Sequence, residues 1–316
     1  MSVVLGIFDG THDAGACLIQ NGVIIAACDE ERWSRKKGQG GFPVQSIHWI
    51  LDYTGIAWSD IDRIAIAGLI NPNPVLRILR PIQQTWRLDE GQFYAPNKWF
   101  SNWIQFRSPF PKMKPTPNIS WKLMRKGLAF SIKTQMKQLF RTDVPPISIY
   151  EHHHCHAASA HFTSGYDESL VIVADGLGDG VALSMWLGSG NSVSKCFDLP
   201  YPHSIGLLYA SVTGYLGYKP FRHEGKVTGL SARGSASNIS LPFPFEGPFP
   251  HRRINTRFPL YDWLTQLDDH SPEDIAAWLQ EGIETEMLGV LRWARLQFGS
   301  APLVMAGGLV ANVALN

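Results

Sequence analysis

The sequence has few cysteines, no long apolar run and almost no net charge. Its four cysteines form no C-x-x-C pair, which argues against a zinc knuckle or a disulfide framework and favours reduced thiols in a core. No run of about eighteen apolar residues could span a membrane. The N-terminus lacks the charged and apolar segments of a signal peptide. We therefore predict a soluble protein of the cytoplasm.

The most informative feature is a turn that occurs twice. Asp9-Gly10-Thr11-His12-Asp13 and Asp175-Gly176-Leu177-Gly178-Asp179 each follow an apolar strand and precede another, with acids four residues apart. Acids and glycines in such turns suit lobes that hold the phosphates of a nucleotide between them. The repetition indicates one module used twice, in agreement with a length of 316 residues and 45% hydrophobic residues, which can bury two cores.

The segments that flank the turns extend the repeat. The pattern predicts strands at 3–8, 14–19 and 23–28, a helix from Pro43 to Gly55 and a strand at 63–67. Strands at 171–174, 181–187 and 193–197 and a helix at 204–218 repeat this order. A β-β-β-α-β unit used twice predicts an α/β, actin-like fold. Its two ribonuclease-H-like lobes, residues 1–165 and 166–316, are expected to enclose a nucleotide cleft.

A basic aromatic insertion interrupts the first lobe at about residues 70–145. Residues 98–141 contain ten Lys or Arg and no Asp or Glu. Within them, 121–140 reads as an amphipathic helix. A solvated basic face around a lobe-capping helix is favoured over a site for an anionic membrane, a phosphate-bearing partner or RNA. We therefore expect neither a membrane nor a nucleic acid as partner.

A histidine cluster opens an alanine-rich helix at residues 152–164. His152 and His156 are four residues apart, on one face of the helix, and two imidazoles so placed can share a divalent metal ion. Exposed or hydrogen-bonded histidines without a metal are the alternative. His153 and His154 point elsewhere on a helix and need not bind anything.

Several residues of the second lobe are candidates for nucleotide binding. Asp175 is one of them, and Gly176 and Gly178 let the turn after it approach a phosphate closely. Gly307-Gly308 follows a predicted strand at 303–306 and is expected to open a helix through Asn312 that continues to the last residue, a junction suited to adenine and ribose. Lys226 suits phosphate contact, and its alternative is a surface lysine at a helix start.

Ordered motifs across nearly the whole chain resemble the O-carbamoyltransferases of nodulation-factor and antibiotic biosynthesis. The resemblance rests on Thr11-His12-Asp13-Ala14-Gly15, Glu30-Glu31-Arg32, His156-Ala157-Ala158-Ser159-Ala160, Asp175-Gly176-Leu177-Gly178-Asp179-Gly180, Ser204-Ile205-Gly206-Leu207-Leu208-Tyr209, Glu224-Gly225-Lys226-Val227-Thr228-Gly229 and Ala306-Gly307-Gly308-Leu309-Val310-Ala311-Asn312.

The resemblance implies an actin-like domain similar to the tRNA threonylcarbamoyl transferase. Such a domain moves a carbamoyl group from carbamoyl adenylate to a hydroxyl of a small-molecule or sugar acceptor. In that family a C-terminal domain makes the adenylate from carbamoyl phosphate and ATP. The resemblance also implies a divalent metal, with iron as the first choice and zinc or manganese as alternatives, on His152 and His156.

The same resemblance gives roles to residues of the first lobe. His12 is the candidate general base, with a structural histidine as the alternative, and Asp13 can orient its imidazole or hold the acceptor. Lys37 lies before a glycine-rich segment and can stabilise the carbamoyl oxygen or a phosphate, whereas the sequence alone favours a solvated charge run.

The family pattern continues beyond Asn316, so we expect this chain to be a fragment with weak or no activity alone. One metal-ligating aspartate and the adenylate-forming domain would lie in the missing part. Two other functions stay open, an actin-like ATPase or kinase and a non-catalytic nucleotide-binding pseudoenzyme. The motifs do not specify the acceptor.

Overall fold

The computed structural model describes residues 2–10, 12–69, 119–254 and 260–316. These residues form two units. Unit 1 contains the described residues up to Cys155, and unit 2 contains those from His156 onward. The part of the predicted basic aromatic insertion at residues 70–118 lies outside the described residues.

Unit 1 is built on a five-stranded sheet with the order β3-β2-β1-β4-β5. Strands β1 to β3 are antiparallel neighbours, whereas β4 pairs parallel with both β1 and β5. The strands are β1 (Val3–Phe8), β2 (Gly15–Gln20), β3 (Val23–Asp29), β4 (Arg63–Ala67) and β5 (Ile147–Tyr150), and the helices are α1 (Glu31–Ser34), α2 (Val44–Thr54) and α3 (Ile119–Phe140), with a 3-10 turn at Trp58–Asp60.

The core of unit 1 follows from the spacing of its apolar residues. Alternate residues of β1 are buried, and the buried face of α2 carries Ile47 and Ile50. Gly55 ends α2 with a φ of 68°, a left-handed conformation that glycine adopts without strain. Helix α3 buries Leu128 and Met136 and exposes Lys137, as its predicted amphipathic pattern requires.

Unit 2 is built on a four-stranded sheet with the order β11-β6-β7-β8 and has a separate β9–β10 hairpin. Its strands are β6 (Glu168–Gly178), β7 (Val181–Ser189), β8 (Ser192–Pro200), β9 (Phe245–Glu246), β10 (Arg253–Ile254) and β11 (Leu303–Ala306). Its helices are α4 (His152–Thr163), in which the division between the units falls, α5 (Ile205–Tyr215), α6 (Glu224–Ser231), α7 (Tyr261–Leu264) and α8 (Pro272–Phe298), with 3-10 turns at Tyr201–His203, Ala236–Asn238, Thr265–Leu267 and Gly308–Ala311.

The two sheets confirm the predicted repeat. In unit 2, β6 and β7, and β7 and β8, pair antiparallel and β6 pairs parallel with β11, as β1, β2, β3 and β4 do in unit 1. The second turn is shorter than predicted, because β6 continues through Asp175 and Gly176 to Gly178 and only Asp179 and Gly180 form the turn. The two copies also share a backbone feature. Asp13 has a φ of 51° and Asp179 a φ of 53°, both in the left-handed region that few residues other than glycine and asparagine adopt. One supersecondary unit therefore occurs twice.

The predicted helix after Gly307 is wrong in type and length. The structure has a 3-10 turn at Gly308–Ala311, and Asn312 is extended. The Oδ1 atom of Asn312 accepts hydrogen bonds from the backbone N–H groups of Ala314 and Leu315, at 3.1 and 3.2 Å. This side chain competes with the backbone carbonyls for those donors, so the chain turns instead of continuing as an α-helix.

Within the described ranges, every helix is too short or too polar to cross a membrane.

The carboxylate of Glu30 caps the start of α2, directly after the loop at 35–41. Its side chain is buried and accepts hydrogen bonds from Ser46 N (2.9 Å), Ser46 Oγ (2.8 Å) and Gln45 N (3.2 Å). We expect Glu30→Ala to lower the free energy of unfolding by about 2–4 kcal/mol, because it leaves buried donors without an acceptor. Urea denaturation measures this change. The matched variant Glu31→Ala should cost only about 1 kcal/mol, and equal losses for the two variants would contradict the capping role.

Candidate functional site

Two histidines of α4 and one aspartate of β6 form a metal-type group. A ligand atom of each of His152, His156 and Asp175 lies within 4.8 Å of the other two. Helix α4 is continuous and packs on the unit 2 sheet through Ala157, which contacts a cluster containing Val171. The group is therefore built from one helix and one strand.

The donor set of this group fits a divalent transition metal. Two imidazoles with one carboxylate are a known ligand set for ferrous iron, zinc and manganese, and they leave further coordination positions free. Asp175 was predicted as a nucleotide-binding residue, and the third metal ligand was predicted to lie beyond Asn316. Helical spacing predicted the two histidines as a pair, but Asp175 joins them only through packing. His153, by contrast, is fully buried.

The end of β6 around Asp175 is held from two sides. The carboxylate oxygen Oδ1 of Asp175 accepts a hydrogen bond from Gly308 N at 3.3 Å, and its carbonyl accepts one from Ser204 Oγ at 3.0 Å. Ser204 also caps α5 by accepting from Leu207 N at 3.0 Å. A Cβ atom at Gly206 would lie 3.0 Å from the Asp175 carbonyl oxygen. Position 206 therefore has little room for a side chain.

Gly307 and Gly308 lie beside this segment, whereas Asn312 contacts α8. Gly307 and Asn312 also have structural roles. Gly307 has a φ of 101°, and a Cβ atom there would overlap the carbonyl of Ala174. Asn312 Nδ2 donates to Gln280 Oε1 at 2.8 Å, and Gln280 Nε2 donates to Asn312 Oδ1 at 3.3 Å. These two hydrogen bonds connect the 3-10 turn to α8. Their predicted roles in nucleotide binding stay predictions.

Lys226 lies in the first turn of α6 within a basic surface of unit 2. Its side chain is exposed, and Lys219, Arg222 and His223 precede it. Partial burial, followed by the charges of Lys226, Lys219 and Arg222, lowers the pKa of His223. The three basic side chains therefore disfavour a further positive charge on this imidazole.

The predicted residues of unit 1 lie in two neighbouring segments. His12 Nδ1 lies 2.9 Å from Asp13 Oδ2, and both side chains are exposed. Lys37 Nζ donates to Glu31 Oε1 at 2.8 Å. The segments are joined by backbone hydrogen bonds from Ala14 N to Gln39 O, at 2.8 Å, and from Gly41 N to Gly10 O, at 2.9 Å.

Glu31 belongs to the motif Glu30-Glu31-Arg32, but no role at the site was predicted for it. Its Oε2 atom accepts from Gly38 N at 2.7 Å while Oε1 holds Lys37. The hydrogen bond and charge of Lys37 lower the pKa of Glu31, and the same interaction raises the pKa of Lys37. Lys37 therefore stays protonated. Because the pair spans the end of the short helix α1 and the irregular residues after it, no periodic spacing could have indicated it.

A second unpredicted group is the ion pair between Arg252, before β10, and Glu286 of α8. Glu286 is 4% exposed, and its burial raises the pKa of its carboxyl to about 7 although the Arg252 guanidinium opposes this shift. Both line a cavity of about 20 Å³ together with Asp175 and His203, a volume that suits about one water molecule. Glu286 lies on the same face of α8 as the buried residues Ile283, Met287 and Val290. This helical spacing could have indicated that Glu286 is buried.

The raised pKa of Glu286 predicts a pH-dependent stability. The folded state binds this proton more tightly than the unfolded state, whose carboxyl has its ordinary pKa of 4.5. The contribution to stability is therefore complete below pH 4.5 and is lost as the pH rises to about 7. We expect the unfolding free energy of the wild type, relative to Glu286→Gln, to fall by on the order of 3 kcal/mol between pH 4 and 8.

Chemical denaturation at several pH values measures this difference. The control is Glu281→Gln on the exposed side of the same helix, for which the difference from the wild type should not change with pH. A constant difference for Glu286→Gln as well would contradict the assignment.

Comparison with known protein families shows the family to which the chain belongs. Residues 3–241 match the family model for the carbamoyltransferase N-terminus. The chain belongs to this family. Among its relatives, the nodulation protein NolNO of Sinorhizobium fredii is 31% identical, with 96% of this chain and 42% of that protein covered. An uncharacterized protein of Synechocystis is 30% identical over 100% of this chain and 52% of its own length.

The carbamoyltransferase-family chain thus spans about half the length of these relatives, or less. Solved structures of similar shape support the actin-like fold. The HypF protein of T. kodakarensis superimposes with a TM-score of 0.52 at 12% identity, over 99% of this chain and 42% of that protein. Full-length HypF in a phosphate- and nucleotide-bound form gives 0.51 at 12% identity, over 99% and 49%. At this identity the likeness concerns the fold alone.

Proposed function

We propose that this chain is the acyl-transfer part of an enzyme that moves a carbamoyl group from carbamoyl adenylate to a hydroxyl of a small-molecule or sugar acceptor. One observation carries the proposal. In a chain of the carbamoyltransferase family, the group of His152, His156 and Asp175 includes a residue of the glycine-containing end of β6, a backbone segment of the kind that accommodates phosphate.

His12 is the proposed general base. In the neutral tautomer that donates Nδ1–H to the carboxylate of Asp13, the lone pair of the His12 imidazole is on Nε2. In the proposed reaction the acceptor hydroxyl gives its proton to Nε2 as its oxygen bonds to the carbamoyl carbon. The bond from that carbon to the phosphate oxygen of the adenylate breaks, and AMP leaves with the bonding electrons. The product is a carbamate ester.

Lys37 is proposed to stabilise the negative charge that develops on the carbamoyl oxygen. The interaction with Glu31 keeps its ammonium group protonated, and the bond from Gly38 N to Glu31 fixes the loop that carries it. A fixed positive charge near an oxyanion lowers the barrier to acyl transfer. Its side chain is 85% exposed, so a bound donor can reach it in unit 1.

In unit 2, the proposal assigns the donor to the turn around Gly176 and Gly178 and to Lys226. Backbone N–H groups of the turn and the lysine would bind phosphate oxygens of the adenylate. A divalent metal on His152, His156 and Asp175 would supply additional positive charge to these oxygens. The synthesis of carbamoyl adenylate from carbamoyl phosphate and ATP is assigned to the part of the relatives that this chain does not cover.

The test supplies the donor directly, because adenylate synthesis is assigned elsewhere. The metal-loaded chain is mixed with carbamoyl adenylate and a panel of sugar alcohols, and AMP release and carbamate ester are followed in a single turnover. We expect His12→Ala to slow ester formation by about 10²–10⁴-fold, with binding of a stable carbamoyl-adenylate analogue unchanged.

The matched control for this test is His48→Ala. His48 lies on α2 against the ring of Phe140, with 5.2 Å between the ring centroids, and should keep full transfer. A folded, metal-loaded wild type that fails to bind the analogue would refute the proposed donor site.

A further inference from the structure

Phe221 has an unusual backbone conformation for an aromatic residue. Its φ of 61° lies in the left-handed region, which bulky side chains rarely adopt. The other described non-glycine residues with positive φ are polar: Asp13, Asn21, Arg35, Arg141 and Asp179. A conformation of this kind persists when the surrounding structure enforces it, and it occurs often at ligand-binding segments.

The turn around Phe221 is closed by its own hydrogen bonds. The Phe221 N–H donates to the carboxylate of Glu224. The N–H groups of Arg222 and His223 donate to the carbonyl of Lys219, at 3.2 and 2.9 Å, and Lys219 N donates to His223 Nδ1 at 3.2 Å. These bonds hold the backbone of Phe221 in place whether or not its ring is needed for packing.

The ring of Phe221 lies against the turn of the proposed nucleotide site. A Cβ atom at Gly176 would be 3.7 Å from ring carbon Cε1 of Phe221 and 3.8 Å from Leu207 Cδ2. On the preceding residue, Asp175 contacts Gly308 N at 3.3 Å. Asp175 and Gly176 therefore lie between the aromatic ring and the Gly308 turn. Phe221 is still 39% exposed, so part of its ring is accessible from solvent.

Basic residues flank the partly exposed ring in the sequence. Lys219, Arg222 and Lys226 are close enough to His223 to disfavour its protonation, and Glu224 is the acid within the same turn. An aromatic surface bordered by cations is the combination that proteins use for nucleotides, because the ring stacks on the base while the cations contact phosphate.

We propose that Phe221 is the platform on which the purine base of a nucleotide stacks at the Asp175-Gly176 turn, with Lys226 contacting its phosphate. The inference rests on the nucleotide site of the proposed function and assigns its base-binding residue. Aromatic stacking depends on the flat face of the ring, so an aliphatic side chain of similar size should lose it. The phosphate contact should be independent of the ring.

The test is calorimetric titration of the 316-residue chain with AMP and, separately, with ribose 5-phosphate, which lacks the base. We expect Phe221→Leu to weaken AMP binding by about ten-fold and to leave ribose 5-phosphate binding unchanged. Phe221→Tyr should bind AMP as the wild type does. Lys226→Gln should weaken both ligands equally and reduce the salt dependence of binding.

Phe221→Gly provides a second variant without the ring, because glycine tolerates the positive φ and keeps the turn foldable. It should lose AMP affinity as Phe221→Leu does. Wild-type AMP affinity in both variants, or an equal loss for AMP and ribose 5-phosphate, would overturn the stacking role alone. A folded wild type that binds neither ligand would overturn the nucleotide site as well.

Discussion

Replacing His156 by alanine is expected to lower the affinity of the chain for a divalent transition metal by at least about a hundred-fold. Loss of a residue that merely orients a ligand already costs about 10–100-fold, and removal of a ligand itself should cost more. His156 offers one of the three ligand atoms that lie within 4.8 Å of one another. Competition with a chromophoric chelator, using ferrous, zinc and manganese ions in turn, measures the affinity.

Two further variants make this measurement specific to the group. Asp175→Asn keeps an oxygen for the N–H of Gly308 but removes the negative charge, so we expect an intermediate loss of metal affinity. His154→Ala lies in the same helix and outside the group, beside the ring of Tyr150 at 6.1 Å between centroids, and should keep wild-type affinity. Equal losses for His154→Ala and His156→Ala would indicate that the variants disturb the helix and not a metal site.

Gly307→Ala is expected to destabilise unit 2 by about 4 kcal/mol, in the range of the severest single substitutions. Two costs add at this position. The φ of 101° is unfavourable for any residue with a Cβ, and the new atom would overlap the carbonyl of Ala174 in β6. Neither the backbone of β6 nor the turn at Gly308 can move without losing the parallel pairing of β11 with β6. Urea denaturation measures the loss.

The control for this prediction is another glycine of the same unit. Gly289 lies inside α8, and nothing lies within 4 Å of a Cβ atom built on it. Gly289→Ala should therefore stabilise the chain, by up to about 1 kcal/mol, because alanine favours the helix. Equal unfolding free energies for Gly307→Ala and Gly289→Ala would contradict the prediction that close packing requires glycine at position 307.

The part of the fold that the sequence could predict is the part governed by local patterns. Alternating apolar residues and turn-forming glycine and asparagine marked β1 to β3, and the repetition of the turn at Asp175 supplied the second copy. Pro43 and Gly55 bracketed α2 within one residue. Such signals act over a few residues, so a single sequence contains them in full.

The missed features depend on contacts between distant residues or on competition between side chain and backbone. Asp175 reaches the histidine pair only because α4 packs on the unit 2 sheet. Asn312 ends the predicted helix because its side chain accepts hydrogen bonds from Ala314 and Leu315. The left-handed backbone of Phe221 has no sequence signal, since aromatic residues normally avoid it. The histidines themselves were found because helical spacing brings them together.

The two copies of the repeated turn differ in a way that bears on their history. With Asp9 aligned to Asp175, His12 corresponds to Gly178. The burial of the acids is reversed, since Asp9 is 4% exposed and Asp13 63% by its side chain, whereas Asp179 is 1% exposed and Asp175 is half-buried. Under the proposed function, the exchange of an imidazole for a hydrogen atom and the inverted burial of the carboxylates assign proton transfer to the first copy and charge neutralisation to the second. The sheets beneath them need no new topology for this divergence.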